Sequence, residues 1–280
     1  QMYYIGYDLG SSFVKIALLD YKKNKQVSLI KEPTSEMEII SLKDDWAEQD
    51  PKLWWKYICN GTKKIINKTK INKDLIKAVG ISYQMHGLVL LDDKKKLLRN
   101  SIIWCDSRAV DIGNKAKKEI EVENLREKLL NTPGNFTVSK LKWVMENEPE
   151  LYKKVKYFML PGDYIAYKLT GEISTTINGL SEAILWDFKS NSCADWLLDY
   201  FGIDKNFIPR VVKNFEEQGR INKKASEESG LPFNIPLKYR AGDQPNNAFS
   251  LNVLNPGEIA ATAGTSGVLF YLTDSLKTNE

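Results

Sequence analysis

The sequence is almost without histidine: 280 residues carry one, His86, within "ISYQMHGLVLLD". Its three cysteines, Cys59, Cys105 and Cys193, are far apart and odd in number. They form no CxxC pair and no Cys/His cluster, which argues against a structural zinc site. Free thiols suit a reducing compartment, so a cytoplasmic location is expected. No apolar run approaches the roughly 20 residues that span a bilayer. The first residues lack the charged and apolar regions of a secretion signal. Charge of one sign is also missing, with 40 basic against 36 acidic residues and a net charge of +4. The lysine run at 94–96 falls where a turn is expected and reads as a solvated loop tip. Nucleic-acid and membrane partners are therefore not expected. No GxxxxGK[ST] phosphate loop occurs, and there is no low-complexity linker or short repeat.

What is present is an ordinary core-forming composition, 42% hydrophobic and 27% charged, which argues against global disorder. "MYYIGYDLGSSFVKIALLD" reads as strand, glycine-bearing turn, strand, with Val14, Ile16 and Leu18 on one face. A third strand follows at "KQVSLIKE", completing an antiparallel meander. Asp50 and Pro51 are an N-cap and a first helical residue, and Leu53, Trp54, Tyr57, Ile58, Ile65 and Ile66 recur at helical spacing. "LIKAVGIS" reads as a buried strand, so the order is β-β-β-α-β, a mixed sheet with a helix on its face. "GLVLLDDKKKLLRNSIIW" predicts a hairpin turning at Asp92–Lys96. Residues 111–160 are expected to be mainly helical, "PGDYIAYKLTGE" a helix stopped by Gly171, and 192–201 another helix. "LKYRAGDQPNNA" predicts a strand running into a functional loop.

The stretch "GEIAATAGTSGVLFYLTD" repeats the opening grammar of strand, Gly-rich turn, strand. Such turns expose backbone N–H groups and let an oxyanion approach closely. Two of them, far apart in the chain, have the form of jaws closing on a nucleotide's phosphates. On residues alone, the same turns also serve as ordinary hairpins.

These segments, together with "WAEQDPKLWW", "GISYQMHGLVLLD", "IIWCDSRA" and "AGDQPNNA", occur in the order found in the FGGY carbohydrate kinases, which the whole chain resembles. Within that family "QMHG" points to the members that act on xylulose. The resemblance implies an α/β, actin-like (ribonuclease H-like) fold with a mixed sheet of the five-stranded type and helices on both faces. It implies residues 1–250 as the sugar-binding, catalytic domain. Residues 251–280 would begin the nucleotide-binding domain, the chain being an N-terminal fragment. The implied activity is ATP-dependent phosphorylation of a ketopentose, D-xylulose first, with Mg2+, small molecules as partners, and a homodimer as a compatible assembly. Other sugars of the family (ribulose, gluconate, glycerol) are the nearest alternative. From another class, a nucleotide-driven conformational protein like actin or Hsp70, or a non-catalytic binding module, uses the same turns.

By the same resemblance, Asp243 is the base that takes the proton of the attacking hydroxyl, with Gln244 beside it on the sugar; many members have asparagine there. On residues alone Asp243 is equally a loop cap before a proline turn. Asp8 at the first turn is a second catalytic carboxylate and magnesium holder, or a simple turn aspartate. Gly10, Ser11 and Ser12 would meet the phosphates, as would Gly264, Thr265 and Ser266 in the second turn; Lys15 either adds charge there or is solvated. Met85 and His86 would meet the ketose, Gly87 leaving room for it, since ligands gather beyond strand ends and a neutral imidazole both donates and accepts. Trp104, Asp106 and Arg108 would lie near the sugar, Trp104 covering its apolar side and the other two pairing to fix their loop.

Overall fold

The computed structural model describes residues 1–263, 267–276 and 278. Its centre is a five-stranded sheet of β1 (Tyr3–Leu9), β2 (Val14–Asp20), β3 (Lys25–Glu32), β4 (Ile76–Tyr83) and β5 (Leu237–Gly242), in spatial order β5-β4-β1-β2-β3. The first three strands form the expected antiparallel meander, and β4 and β5 run parallel to β1. The crossover from β3 to β4 is α1 (Pro51–Thr69), capped where Asp50 accepts from the Lys52 N–H.

Alternation along the strands decides which face is covered. Ile5, Tyr7 and Leu9 of β1, Val14, Ile16 and Leu18 of β2, and Val79, Ile81 and Tyr83 of β4 are all buried. Each such side chain contributes about 1.5–3 kcal/mol of burial energy. They pack beneath α1 and α4 (Pro161–Thr170), after α2 (Val110–Glu119) and α3 (Thr137–Asn147) in the chain. Gly61 allows the close approach of α1, because a Cβ there would lie 2.2 Å from Ile16 Cδ1. The helix α5 (Ile177–Glu182) follows, then α6 (Asp195–Phe201), within the predicted 192–201. Gly171, with φ of 81°, stops α4 as expected.

The opposite face of the sheet is covered unevenly. The helix α7 (Asp243–Ser250) lies at its β5 edge, where Phe249 meets Tyr239 and Phe215, while Leu19 stays exposed. No described helix is long and apolar enough to cross a membrane.

One expectation is extended and one corrected. The hairpin forms, with the Asp92 N–H donating to the Lys96 carbonyl at 3.0 Å and antiparallel bridges from Leu91 to Leu97 and from Leu88 to Ile102, but its arms also take partners outside it. Val89–Leu91 pairs with Tyr157–Met159, and Ser101–Ile102 with Glu48–Gln49. These arms are completely buried, so their backbone groups need partners within the protein, and other segments supply them. Asp243 is not in a loop: it is the first residue of α7, immediately after β5. Beyond it, β6 (Ile259–Ala263) and β7 (Gly267–Tyr271) form an antiparallel pair.

Candidate active site

A cleft of about 530 Å³ opens where the carboxyl ends of β1, β4 and β5 meet. The parallel strands end together there, which leaves a crevice that loops can furnish. Three segments line it: Asp8 to Lys15 around the first turn, Gln84 to His86 after β4, and Asp243, Gln244 and Asn247 on α7. Trp104 and Val268 complete it.

The first turn is tight, with the Gly10 N–H donating to the Phe13 carbonyl at 3.0 Å. Asp8 pairs with Lys15 Nζ at 3.0 Å, a contact set by their facing positions on β1 and β2. The turn is held from behind by Gln49, which sequence reasoning missed. Its Nε2 donates to the Ser11 carbonyl at 2.7 Å, and its Oε1 accepts from Trp54 Nε1 and Gln84 Nε2, both at 3.1 Å. One buried amide thus ties the turn to α1 and to the segment after β4. Trp104, half exposed, donates to Ser11 Oγ at 3.3 Å and turns the rest of its ring to the cleft. Ser12 accepts through its carbonyl from the Met37 N–H at 2.8 Å.

His86 has a φ of 61°, the left-handed conformation that strand ends use to redirect the chain. Three contacts fix it there. Its Nδ1 lies 3.0 Å from the Glu182 carbonyl, Lys140 Nζ donates to its own carbonyl at 2.8 Å, and the Phe136 ring meets it edge-on at 4.6 Å. A carbonyl can only accept, so Nδ1 carries the proton and Nε2 keeps its lone pair. Burial pushes the His86 pKa down to about 4, which keeps the ring neutral at pH 7. Lys140 also donates to the Ile103 carbonyl at 3.0 Å. Burial lowers its pKa to about 8, so it remains charged at neutral pH. Gly87 does not leave room for a ligand: a Cβ there would lie 2.5 Å from Pro161 Cγ, so the glycine lets α4 pack.

Asp243 is raised above the usual aspartate range, first by burial and then by the negative charge of Asp8. The N–H of Gln244 and the charge of Lys15 pull the other way. Gly242 ahead of it is closely surrounded. A Cβ there would lie 2.4 Å from Met85 Cγ and 2.8 Å from Glu182 Oε2.

Asp106 does not reach the cleft, which corrects its expected contact with substrate. It is completely buried, and its carboxylate accepts from the Ala47 N–H at 2.6 Å and from Arg108 Nη2 at 2.7 Å. Arg108 in turn pairs with Glu48 at 2.8 Å and lies 3.8 Å over the Trp46 ring. The pair fixes its loop, and Trp104 alone of that segment faces the cleft. Gly264, Thr265 and Ser266 of the second turn lie outside the described residues.

A five-stranded mixed sheet with a tight turn between its first two strands at the cleft is the actin-like ATPase architecture of the sugar kinases, and residues 3–250 match the N-terminal domain of the FGGY family of carbohydrate kinases. The chain belongs to that family. It is 28% identical over 271 residues to the xylulose kinase of Escherichia coli (strain K12), covering 97% of this chain and 54% of the relative. The xylulose kinase of Brucella ovis superposes with a TM-score of 0.91 at 27% identity, over 99% of this chain and 56% of that one. The gluconate kinase of Lactobacillus acidophilus superposes with a TM-score of 0.87 at 25% identity, over 96% and 53%. The chain spans about half the length of the curated relatives it matches.

Proposed function

We propose that this chain is the sugar-binding part of a kinase that transfers the γ-phosphoryl group of ATP to a neutral ketopentose, D-xylulose first. Residues 1–250 form the sugar-binding, catalytic domain in this reading, and 251–280 begin the nucleotide domain. The free thiols suit the cytoplasm as its compartment.

The observation that carries the reading is the meeting of Asp243, Met85, His86 and Trp104 at one cleft with the first turn. Asp243 takes the proton of the sugar hydroxyl as its oxygen attacks the γ-phosphorus and ADP leaves. His86 Nε2 accepts from another sugar hydroxyl, Gln244 adds a hydrogen bond, and the Trp104 face covers the sugar's apolar side. The N–H groups around Gly10, Ser11 and Ser12 receive phosphate oxygens, with Lys15 adding charge. Magnesium keeps most of its waters and takes one or two carboxylates beside substrate phosphates. Asp8 and Asp243, close enough for one to raise the other's pKa, fit that donor set, although no three ligating side chains gather among the described residues. The ion they would hold neutralises phosphate charge.

Superposition alone leaves gluconate open, and the charge of the cleft supports a neutral sugar. Among the described cleft residues the cation is Lys15, already paired with Asp8, and His86 is neutral. A sugar carboxylate entering that cleft would add to the negative charge of Asp243, with no uncommitted cation among the described lining residues to offset it. The test is a panel of D-xylulose, L-xylulose, D-ribulose, gluconate and glycerol, offered with ATP and magnesium to the full-length protein. D-xylulose should give the highest kcat/KM. Preference for gluconate would refute the charge argument. ATP hydrolysis with no phosphorylated sugar would place the protein among nucleotide-driven conformational proteins instead.

A further inference from the structure

Behind the first turn two buried glutamines, Gln49 and Gln84, are joined side chain to side chain. Their surroundings fix the polarity of both amides. Gln49 Oε1 lies 3.1 Å from Trp54 Nε1, and an indole N–H only donates. Gln49 Nε2 lies 2.7 Å from the Ser11 carbonyl and 3.4 Å from the Glu38 carbonyl, and carbonyls only accept. Exchanging the oxygen and nitrogen of Gln49 would break all of these bonds. With Gln84 Nε2 as its second donor, Gln49 makes the four hydrogen bonds open to an amide.

Gln84 inherits that polarity. Gln49 presents an oxygen to it, so Gln84 offers its nitrogen and keeps its own Oε1 free of that contact. This oxygen is buried and has no donor among the described residues. A buried acceptor left unpaired lowers stability, and an apolar pair of the same shape would not carry that penalty. The pair is therefore a poor device for stability alone. What it does is join two parts of the cleft. The Gln84 N–H donates to the Leu9 carbonyl at 2.7 Å, one residue before Gly10, and Met85 and His86 follow Gln84 in the chain. Ser11, on the first turn, receives Gln49 at its carbonyl and Trp104 at its hydroxyl.

We propose that Gln49 and Gln84 are positioning residues, a one-way amide relay that holds the phosphate turn in register with the sugar segment so that the reacting groups meet in line. Neither side chain needs to touch a substrate for this. The relay's part in transfer rests on the proposed function; its hydrogen bonds do not. Phosphoryl transfer is mostly a matter of positioning, and a misplacement of about 1 Å costs about 10²-fold. The relay sets the distance between phosphate and hydroxyl and not the affinity for either. Its loss should therefore appear in kcat.

Two measurements on the full-length protein separate the relay from its role. The first needs no turnover. In protein labelled with 15N-glutamine, the side-chain N–H groups of Gln49 and Gln84 should exchange with solvent about a hundredfold or more slower than free glutamine. In Gln49→Met the Gln84 amide should lose that protection, because its acceptor is gone. Fast exchange of either amide in wild type overturns the proposal, whatever the kinetics show. The second measurement is kinetic. Gln49→Met and Gln84→Met should each lower kcat by about 10–100-fold, with KM for sugar and for ATP within about threefold. The double variant should fall no more than about threefold below the weaker single one, because one device is broken in all three. Gln84→Met carries the test if Gln49→Met fails to fold. Gln218, equally buried, lies outside the cleft and donates to the Lys213 and Asn214 carbonyls, so it controls for lost stability. Gln218→Met should lower the urea midpoint with kcat unmoved. Wild-type kcat in a folded Gln84→Met protein, effects that multiply in the double variant, or an equal fall of kcat in Gln218→Met would each overturn the proposal. If wild type phosphorylates no sugar, the functional reading fails and takes the relay's part in transfer with it, while slow exchange still shows the relay itself.

Discussion

The substitution Gly242→Ala isolates steric crowding at the cleft floor. Gly242 has φ of −59° and ψ of 160°, a conformation open to any L-residue, so alanine brings no backbone strain. Restricting the unfolded chain should even stabilise by about 0.4–1 kcal/mol. Against this, the new methyl would lie 2.4 Å from Met85 Cγ, 2.7 Å from Met85 Sδ and 2.8 Å from Glu182 Oε2. Overpacking of that kind costs about 1–3 kcal/mol, so the crowding wins. Methionine is the adaptable neighbour, whereas the Glu182 carboxyl is enclosed. Met85 should therefore swing into the cleft it lines, where the sugar is proposed to bind. The expected result is a net loss of roughly 1–2 kcal/mol in urea unfolding, together with a raised sugar KM and an unchanged ATP KM. Adding Met85→Ala should return part of the loss, and the double-mutant cycle measures the coupling between the two sites. A Gly242→Ala protein with the wild-type midpoint and sugar KM would refute the packing argument.

Asp243→Ala should lower kcat by about 10²–10⁴-fold while sugar binding survives in part, checked by turnover and by calorimetric titration of sugar. Because Asp243 is raised, its base form is lost as pH falls through a value above the ordinary 3.8. The acid limb of kcat/KM should lie above that value, and a limb at or below it contradicts the assignment. Asp106→Ala should cost about 3–5 kcal/mol, since Arg108 is left buried with Glu48 as its remaining partner. Sugar KM of the folded fraction should hardly move; a large KM change at wild-type stability would return Asp106 to the sugar site. Between pH 6.5 and about 4 the unfolded chain protonates His86 and the folded one does not, so its contribution to stability falls with pH across that window. The loss should approach ~3 kcal/mol and vanish from the urea midpoints of His86→Gln.

Much of the scaffold could be read locally. The meander showed in the alternation of Val14, Ile16 and Leu18, and α1 in Asp50 and Pro51 beside a helical stripe ending at Ile66. The position of His86 just past β4 and of Asp243 just past β5 followed from where those strands end. These features depend on spacing within a few residues, which the sequence states outright. Gln49, Lys140 and Glu182 gave no such signal. Each is a polar residue whose partners lie far along the chain, 35 residues away for Gln49 and Gln84, and 96 for Glu182 and His86. The same distance hid the partners that Val89–Leu91 and Ser101–Ile102 find outside their hairpin, the packing of Gly87 on Pro161, and the Ala47 N–H that encloses Asp106, whereas the Asp106–Arg108 pair, two residues apart, was legible. The sequence by itself determined the elements and the order in which the site's segments arrive. Only the tertiary structure decided which polar groups face the cleft and which are spent holding it. A buried donor or acceptor must find its partner in space, and local periodicity carries no record of that search.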